Sequence, residues 1–202
     1  MTRGRPRKFD EELALTGAMT LFWEKGLAAT SLDDLAVAMR MNRPSIYNAF
    51  GNKEAIYRRA LEHYLMQLEQ STLVTFQSGM SLQAGLYAFF DQAIEVYFGN
   101  NPPLGCLAIC TAPSAAVSHP EVGKDLKALI ALLDTRFAER LLKAIDEGDL
   151  PAKAQPKLAA QMLQATLQSI AVRARSGESK TSLRALARYS IDSILSSEGT
   201  NP

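Results

Sequence analysis

The chain has few of the residues from which catalytic and metal sites are built: two cysteines, two histidines and one tryptophan in 202 residues. Cys106 and Cys110 are too few for a disulfide framework, and His63 and His119 have no second ligand at metal spacing. A Gly-x-Ser-x-Gly elbow, a phosphate-cradling glycine loop and a dinucleotide-binding fingerprint are all missing. We therefore expect no enzyme, no cofactor and no metal. An excess of one charge is lacking too, since 22 basic residues face 21 acidic ones for a net +1. The opening Met1-Thr2-Arg3-Gly4-Arg5-Pro6 has no apolar core of the kind a secretion signal needs, so a reducing, cytoplasmic compartment is expected. An unbroken apolar span is missing as well. Val96 to Pro120 carries no charged residue and exceeds the ~20 residues a membrane helix needs. Asn100, Asn101, Pro102, Pro103, Pro113, His119 and Pro120 interrupt it, which predicts buried core and no membrane partner.

What the chain does have is 47 % hydrophobic residues, enough for a folded core, and a basic front end. Residues 1–60 hold ten Lys/Arg against seven Asp/Glu, whereas residues 61–202 hold twelve against fourteen. Arg3, Arg5, Arg7 and Lys8 come with no acid among them. Such an arm reads either as a solubilising tail or as a phosphate binder. The order Arg3-Gly4-Arg5-Pro6 resembles the core of an AT-hook, in which arginines enter a narrow minor groove.

Periodicity is helical nearly everywhere, and the expected fold is all-α with about nine helices. Leu13, Ala14, Gly17, Ala18, Leu21 and Phe22 mark one face of a first helix that Gly26 terminates. Thr30 or Ser31 caps a short second helix striped by Leu32, Leu35, Ala36 and Met39. Asn42 caps a third over Arg43 to Phe50, where Pro44 is tolerated because first-turn amides have no intrahelical partner. Gly51-Asn52 breaks it, and a long amphipathic helix begins at Lys53. Two short helices joined by a tight turn form a helix-turn-helix, which sets the N-terminal side chains of its second helix against base edges.

The run from Thr30-Ser31-Leu32-Asp33-Asp34-Leu35-Ala36 through Met41-Asn42-Arg43-Pro44-Ser45-Ile46-Tyr47-Asn48-Ala49-Phe50-Gly51-Asn52-Lys53-Glu54 closely resembles the DNA-binding domain of the tetracycline-repressor (TetR) family. Phe22-Trp23-Glu24-Lys25-Gly26 ahead of it is similar too, and the resemblance spans about residues 9–60. It implies a sequence-specific transcription regulator. It sets Arg43, Pro44, Ser45 and Asn48 nearest the bases, Tyr47 and Lys53 on phosphates, and Thr30 on the DNA backbone. Arginine suits guanine, asparagine adenine, and Lys and Tyr phosphate oxygens. Tyr47 also admits a core reading. Where the family has glycine in the turn, this chain has Arg40, so either the turn takes another path or the residue bears a strain of about 1 kcal/mol while gaining a phosphate.

The implied organisation is an arm (1–8), a helix-turn-helix domain (9–60) and an effector-binding and dimerisation domain (61–202). Helices are expected at about 53–78, 82–99, 104–117, 120–147, 155–176 and 180–197, with breaks at glycine, proline and asparagine. In the family the last two helices pair with their copies, which assigns Met162, Leu163, Ile170, Leu183, Leu186, Ile191 and Ile194 to a homodimer interface. The alternative is that the same stripes face the monomer core. Tyr64, Phe90, Tyr97, Cys110, Phe137, Met162 and Thr166 are candidate pocket liners, each also readable as ordinary core. The uncharged Val96–Pro120 stretch points to an apolar or weakly polar effector. Cys106 at a helix start is a candidate redox thiol, because an exposed helix N-terminus lowers a thiol pKa; a small buried apolar group is the alternative. The expected activity is a repressor on a palindromic double-stranded operator, released by a small effector. A DNA-binding protein with no effector, or a cysteine-based sensor, is the alternative.

Overall fold

The computed structural model describes residues 10–77 and 79–200, so Arg3 and Arg5 of the basic arm lie outside the described residues. Among these residues all regular structure is helical: α1 (Glu11–Ala29), α2 (Leu32–Ala38), α3 (Arg43–Phe50), α4 (Lys53–Gln77), α5 (Leu82–Tyr97), α6 (Leu107–Ala116), α7 (Pro120–Asp146), α8 (Pro156–Arg175) and α9 (Lys180–Thr200).

Local chemistry explains the ends. Asp10 caps α1 by accepting from the amides of Glu12 and Leu13. Gly26 breaks the regular winding with φ 74°, and the chain then runs on to Ala29 instead of stopping. Ser31, not Thr30, caps α2 in a reciprocal box with Asp34, whose carboxylate takes the Ser31 amide while the Ser31 hydroxyl takes the Asp34 amide. Asn42 caps α3 through the Ser45 amide, at 2.9 Å, and Asn52 caps α4 through the Ala55 amide. Arg40 occupies the α2–α3 turn with φ 54°, the only positive φ outside glycine among the described residues. The turn thus keeps the left-handed path and places an arginine on it.

α1 lies between the front helices and the rest, packing on α2, α4 and α6. It approaches α2 so closely that a Cβ on Gly17 would stand 2.2 Å from the Ala38 carbonyl oxygen. Phe22 meets Tyr57 of α4 edge-on, and the Tyr57 hydroxyl shares a 2.7 Å hydrogen bond with Thr111 of α6. The uncharged segment is core as expected: Tyr97, Leu104, Leu107, Ala108, Ala112 and Ala115 are all buried.

Carrying the family's helix pairing onto the apolar stripes of α8 and α9 picks mostly residues that face the monomer core, the alternative that periodicity leaves open. Leu163, Ile170, Leu183, Ile191 and Ile194 are buried within the monomer and Leu186 is partly buried against the core, because α8 packs on α7 and α9 and α9 packs on α5. Of the seven expected interface residues only Met162 is exposed, at 58 %. The apolar residues left outward on these helices are Leu158, Met162 and Val172 of α8 and Tyr189 of α9.

Candidate nucleic-acid interface and effector cleft

α3 is eight residues long and has two sides. Ile46 and Phe50, four apart, are buried and hold it on the front domain. The opposite face leaves Arg43, Pro44, Tyr47 and Asn48 exposed, with Ser45 partly so. Tyr47 is 48 % exposed, which removes the core reading. Three of the four side chains expected nearest the bases, together with Tyr47, therefore form one open surface on α3. Arg43 donates to Asp33 of α2 from both Nε, at 2.7 Å, and Nη2, and this carboxylate raises the guanidinium pKa above its ordinary value. Sequence reasoning missed that pair; the signal was Asp33 in the first turn of α2 beside a basic start to α3.

Of the remaining expected contacts with the DNA backbone, that of Thr30 comes out differently. Thr30 is 1 % exposed and its hydroxyl donates to the Gly26 carbonyl at 2.7 Å, so its side chain cannot reach a phosphate. The cap belongs to Ser31, and that turns Thr30 inward to satisfy a carbonyl at the Gly26 kink. Lys53 sets its ammonium on the carbonyls of Thr30 (2.9 Å) and Ala28 (3.4 Å), neutralising the end of α1 as it starts α4.

A cleft of about 600 Å³ opens between α4 and α7, with Phe89 of α5 at its base. Leu61, Leu65, Leu129, Leu133 and Phe137 make it apolar, while Arg58, Arg59, Glu62, Asp125 and Arg136 stand along it. Arg58 bridges it to Asp125 through Nε (2.5 Å) and Nη2 (3.0 Å), joining α4 to α7. Arg59 instead reaches Glu11 of α1 and covers the Phe50 ring at 4.8 Å. The DNA-side helices and the cleft wall thus share one turn of α4.

Of the expected liners only Phe137 borders this cleft. Tyr64 points the other way, edge-on to Trp23 at 5.0 Å, and Phe90 and Tyr97 are packed core. Cys110 directs its thiol at the Ala171 carbonyl, 3.7 Å away. Met162 and Thr166 belong to α8, no residue of which lines the cleft, and Thr166 donates to the Met162 carbonyl. No residue of the uncharged Val96–Pro120 stretch lines the cleft, so that stretch is no guide to what the cleft holds.

The thiols do not sit where a low pKa would arise. Cys106 precedes α6 but is buried, and burial pushes its pKa up against the opposing amides of Ile109 and Ala108. Cys110, partly buried, is pushed up by burial and then by Cys106. Both are free thiols, and it is the burial of Cys106 that runs against the exposed helix-start thiolate for which it is a candidate. Among the described residues no His, Cys, Asp or Glu cluster could hold a metal, and no helix is long and apolar enough to cross a membrane.

Residues 14–60 match the family model for bacterial regulatory proteins of the tetR family, and residues 83–190 match that for the tetracyclin repressor-like C-terminal domain. The chain belongs to the TetR family. It is a DNA-binding transcriptional regulator. Among curated TetR-family relatives, the transcriptional repressor ComR of Escherichia coli (strain K12) is 28 % identical over 187 residues, covering 92 % of this chain and 89 % of ComR. The biofilm operon regulator IcaR of Staphylococcus epidermidis is 35 % identical over 140 residues, or 65 % of this chain and 67 % of IcaR. A solved structure of the TetR-family regulator CifR, a cysteine mutant with a 26 bp operator duplex, superposes with a TM-score of 0.86 at 30 % identity, over 93 % of this chain and 98 % of CifR. That TetR-family neighbour engages double-stranded operator DNA with this same fold.

Proposed function

We propose that this TetR-family protein is a cytoplasmic homodimeric repressor whose α3 reads a palindromic operator and whose α4–α7 cleft takes the effector that releases it. The carrying observation is the two-sided α3, which buries Ile46 and Phe50 and leaves Arg43, Pro44, Tyr47 and Asn48 open. Residues 9–60 are then the reading head and residues 61–202 the effector-binding and dimerising part, with the arm 1–8 adding phosphate or minor-groove contacts. Catalysis has no support from a motif, since the sequence lacks the Gly-x-Ser-x-Gly elbow, the phosphate-cradling glycine loop and the dinucleotide-binding fingerprint. ComR, BdcR and IcaR are repressors or negative regulators by name, which favours repression over activation.

Two reading heads must stand about 34–36 Å apart, or a multiple of that, to meet successive major-groove faces. The cleft is where a ligand would change that spacing. One wall is the first half of α4, which only two residues separate from α3, and the Arg58–Asp125 bridge holds that wall to α7. The apolar floor suits a hydrocarbon or aromatic body, and the guanidiniums of Arg58, Arg59 and Arg136 suit a polar or acidic end. The existence of the cleft also counts against a DNA-binding protein without an effector. The burial of both thiols counts against a cysteine sensor.

Selection of random duplex DNA on the purified protein, repeated with Arg43→Ala and Tyr47→Ala, tests the reading. A palindromic consensus weakened in both variants is expected. Enrichment of no sequence, or a consensus indifferent to both changes, overturns it.

A further inference from the structure

Arg43 is the first residue of α3, where recognition helices meet base edges, yet its guanidinium is already engaged. The donor arithmetic shows what that engagement leaves. Arginine has five N–H donors in a plane: one on Nε and two on each terminal nitrogen. Asp33 Oδ1 accepts from Nε and from Nη2, and so occupies one edge of the plane. Both hydrogens of Nη1 and one of Nη2 remain, and these form the end-on fork that matches guanine O6 and N7.

Beyond its place in the first turn of α2, where an acid favours the helix start, Asp33 is not needed by the cap. The α2 cap is made by Ser31 with Asp34, and among the described residues Asp33 accepts hydrogen bonds only from Arg43. Its side chain is 71 % exposed, so the carboxylate makes no core contribution. A negative charge at a DNA-facing surface weakens binding to every duplex unless something specific offsets it. Fixing a long side chain does so, because an unrestrained arginine must give up rotamer freedom at the moment of binding.

We propose that Asp33 is the positioning residue for base recognition, holding the Nε edge of Arg43 so that its Nη1/Nη2 fork is aimed at one guanine in each half-site. This rests on α3 being the reading helix. Specificity is then built from two helices: α3 supplies the reader, and α2 sets its plane.

The test uses the operator recovered by selection and measures, for each variant, the ratio of affinities for that operator and for one with the Arg43-dependent guanine replaced. Arg43→Ala should bring the ratio near one. Asp33→Ala should lower it by roughly fivefold or more, the discrimination expected of a bidentate pair at the weak end of its range. Asp33→Asn keeps an acceptor oxygen and should fall between, although both Asp33 variants remove the same charge. The double variant should be no worse than Arg43→Ala alone. Circular dichroism and melting of Asp33→Ala check that α2 is intact. If Asp33→Ala raises affinity for all duplexes alike and keeps the ratio, Asp33 is only a repulsive charge and the proposal fails. If Arg43→Ala itself costs no guanine, the assignment of Arg43 as reader fails and takes this proposal with it.

Discussion

Arg40 shows how a single residue can answer a question the sequence raised. A side chain at φ 54° bears about 1 kcal/mol of local strain that glycine would not. Arg40→Gly should therefore raise stability by a few tenths of a kcal/mol, up to about 1, the gain being reduced by the extra freedom glycine has when unfolded. Chemical denaturation measures this. If Arg40 also touches a phosphate, the same variant should bind operator more weakly and lower the slope of log affinity against log salt by about one; an unchanged slope would assign the arginine no DNA contact. Nearby, Asp34 is held down at about 2 against its ordinary 3.8, chiefly by the Ser31 amide and hydroxyl. A depressed folded pKa gives stability that is present above pH 3.8 and lost as pH falls through 2. Asp34→Asn should thus flatten the acid limb of the stability curve between about pH 4 and 2. Ser31→Ala, which removes the cap itself, should cost about 1 kcal/mol.

Most helix boundaries could be read from the sequence because glycine, proline and capping polar residues punctuate it, and α3 begins and ends where Asn42 and Gly51 require. The unread parts share one cause. A stripe of Leu and Ile says that a helix face is buried but not against what, and both α8 and α9 spend their stripes inside the monomer. Tyr64 and Leu65 are neighbours on α4, yet one faces Trp23 and the other the cleft, a choice set by how α4 is rolled between α1 and α7. Nor could the identity of the α2 cap be settled by residue type, since Thr30 and Ser31 are both suitable. Close approach between elements is where this matters most for function. A Cβ on Gly17 would meet the Ala38 carbonyl at 2.2 Å, and backbone cannot step aside as a side chain can. Gly17→Ala should push α2 off α1, lower stability by about 1–3 kcal/mol, and weaken operator binding further by displacing the Asp33–Arg43 pair. Retained operator affinity at full folding would show that α2 placement is not critical to reading.

At the scale of the whole molecule, several contacts tie the reading head to the distal helices, among them Tyr57 with Thr111 and Arg58 with Asp125, and Arg175 adds another. From the last turn of α8 it donates to the carbonyls of Trp23 (2.8 Å), Glu24 (3.1 Å) and Leu104 (3.2 Å), while the Trp23 indole donates to the same Leu104 carbonyl. One guanidinium therefore joins the end of α1, the loop before α6 and α8. The outward side of α8 and α9 carries the exposed apolar residues Leu158, Met162, Val172 and Tyr189, and its occupation by a second copy would place Arg175 between the dimer contact and each head. Tyr189 is 75 % exposed, so Tyr189→Asp should leave the monomer fold intact and shift sedimentation towards monomer, with operator affinity falling as the second head is lost. Ile191→Asp, two residues on but fully buried, should instead unfold the distal part. An Ile191→Asp protein that stays folded and becomes monomeric would mean that the inward stripe is the interface after all, and a Tyr189→Asp protein that stays dimeric would mean that the copies meet elsewhere.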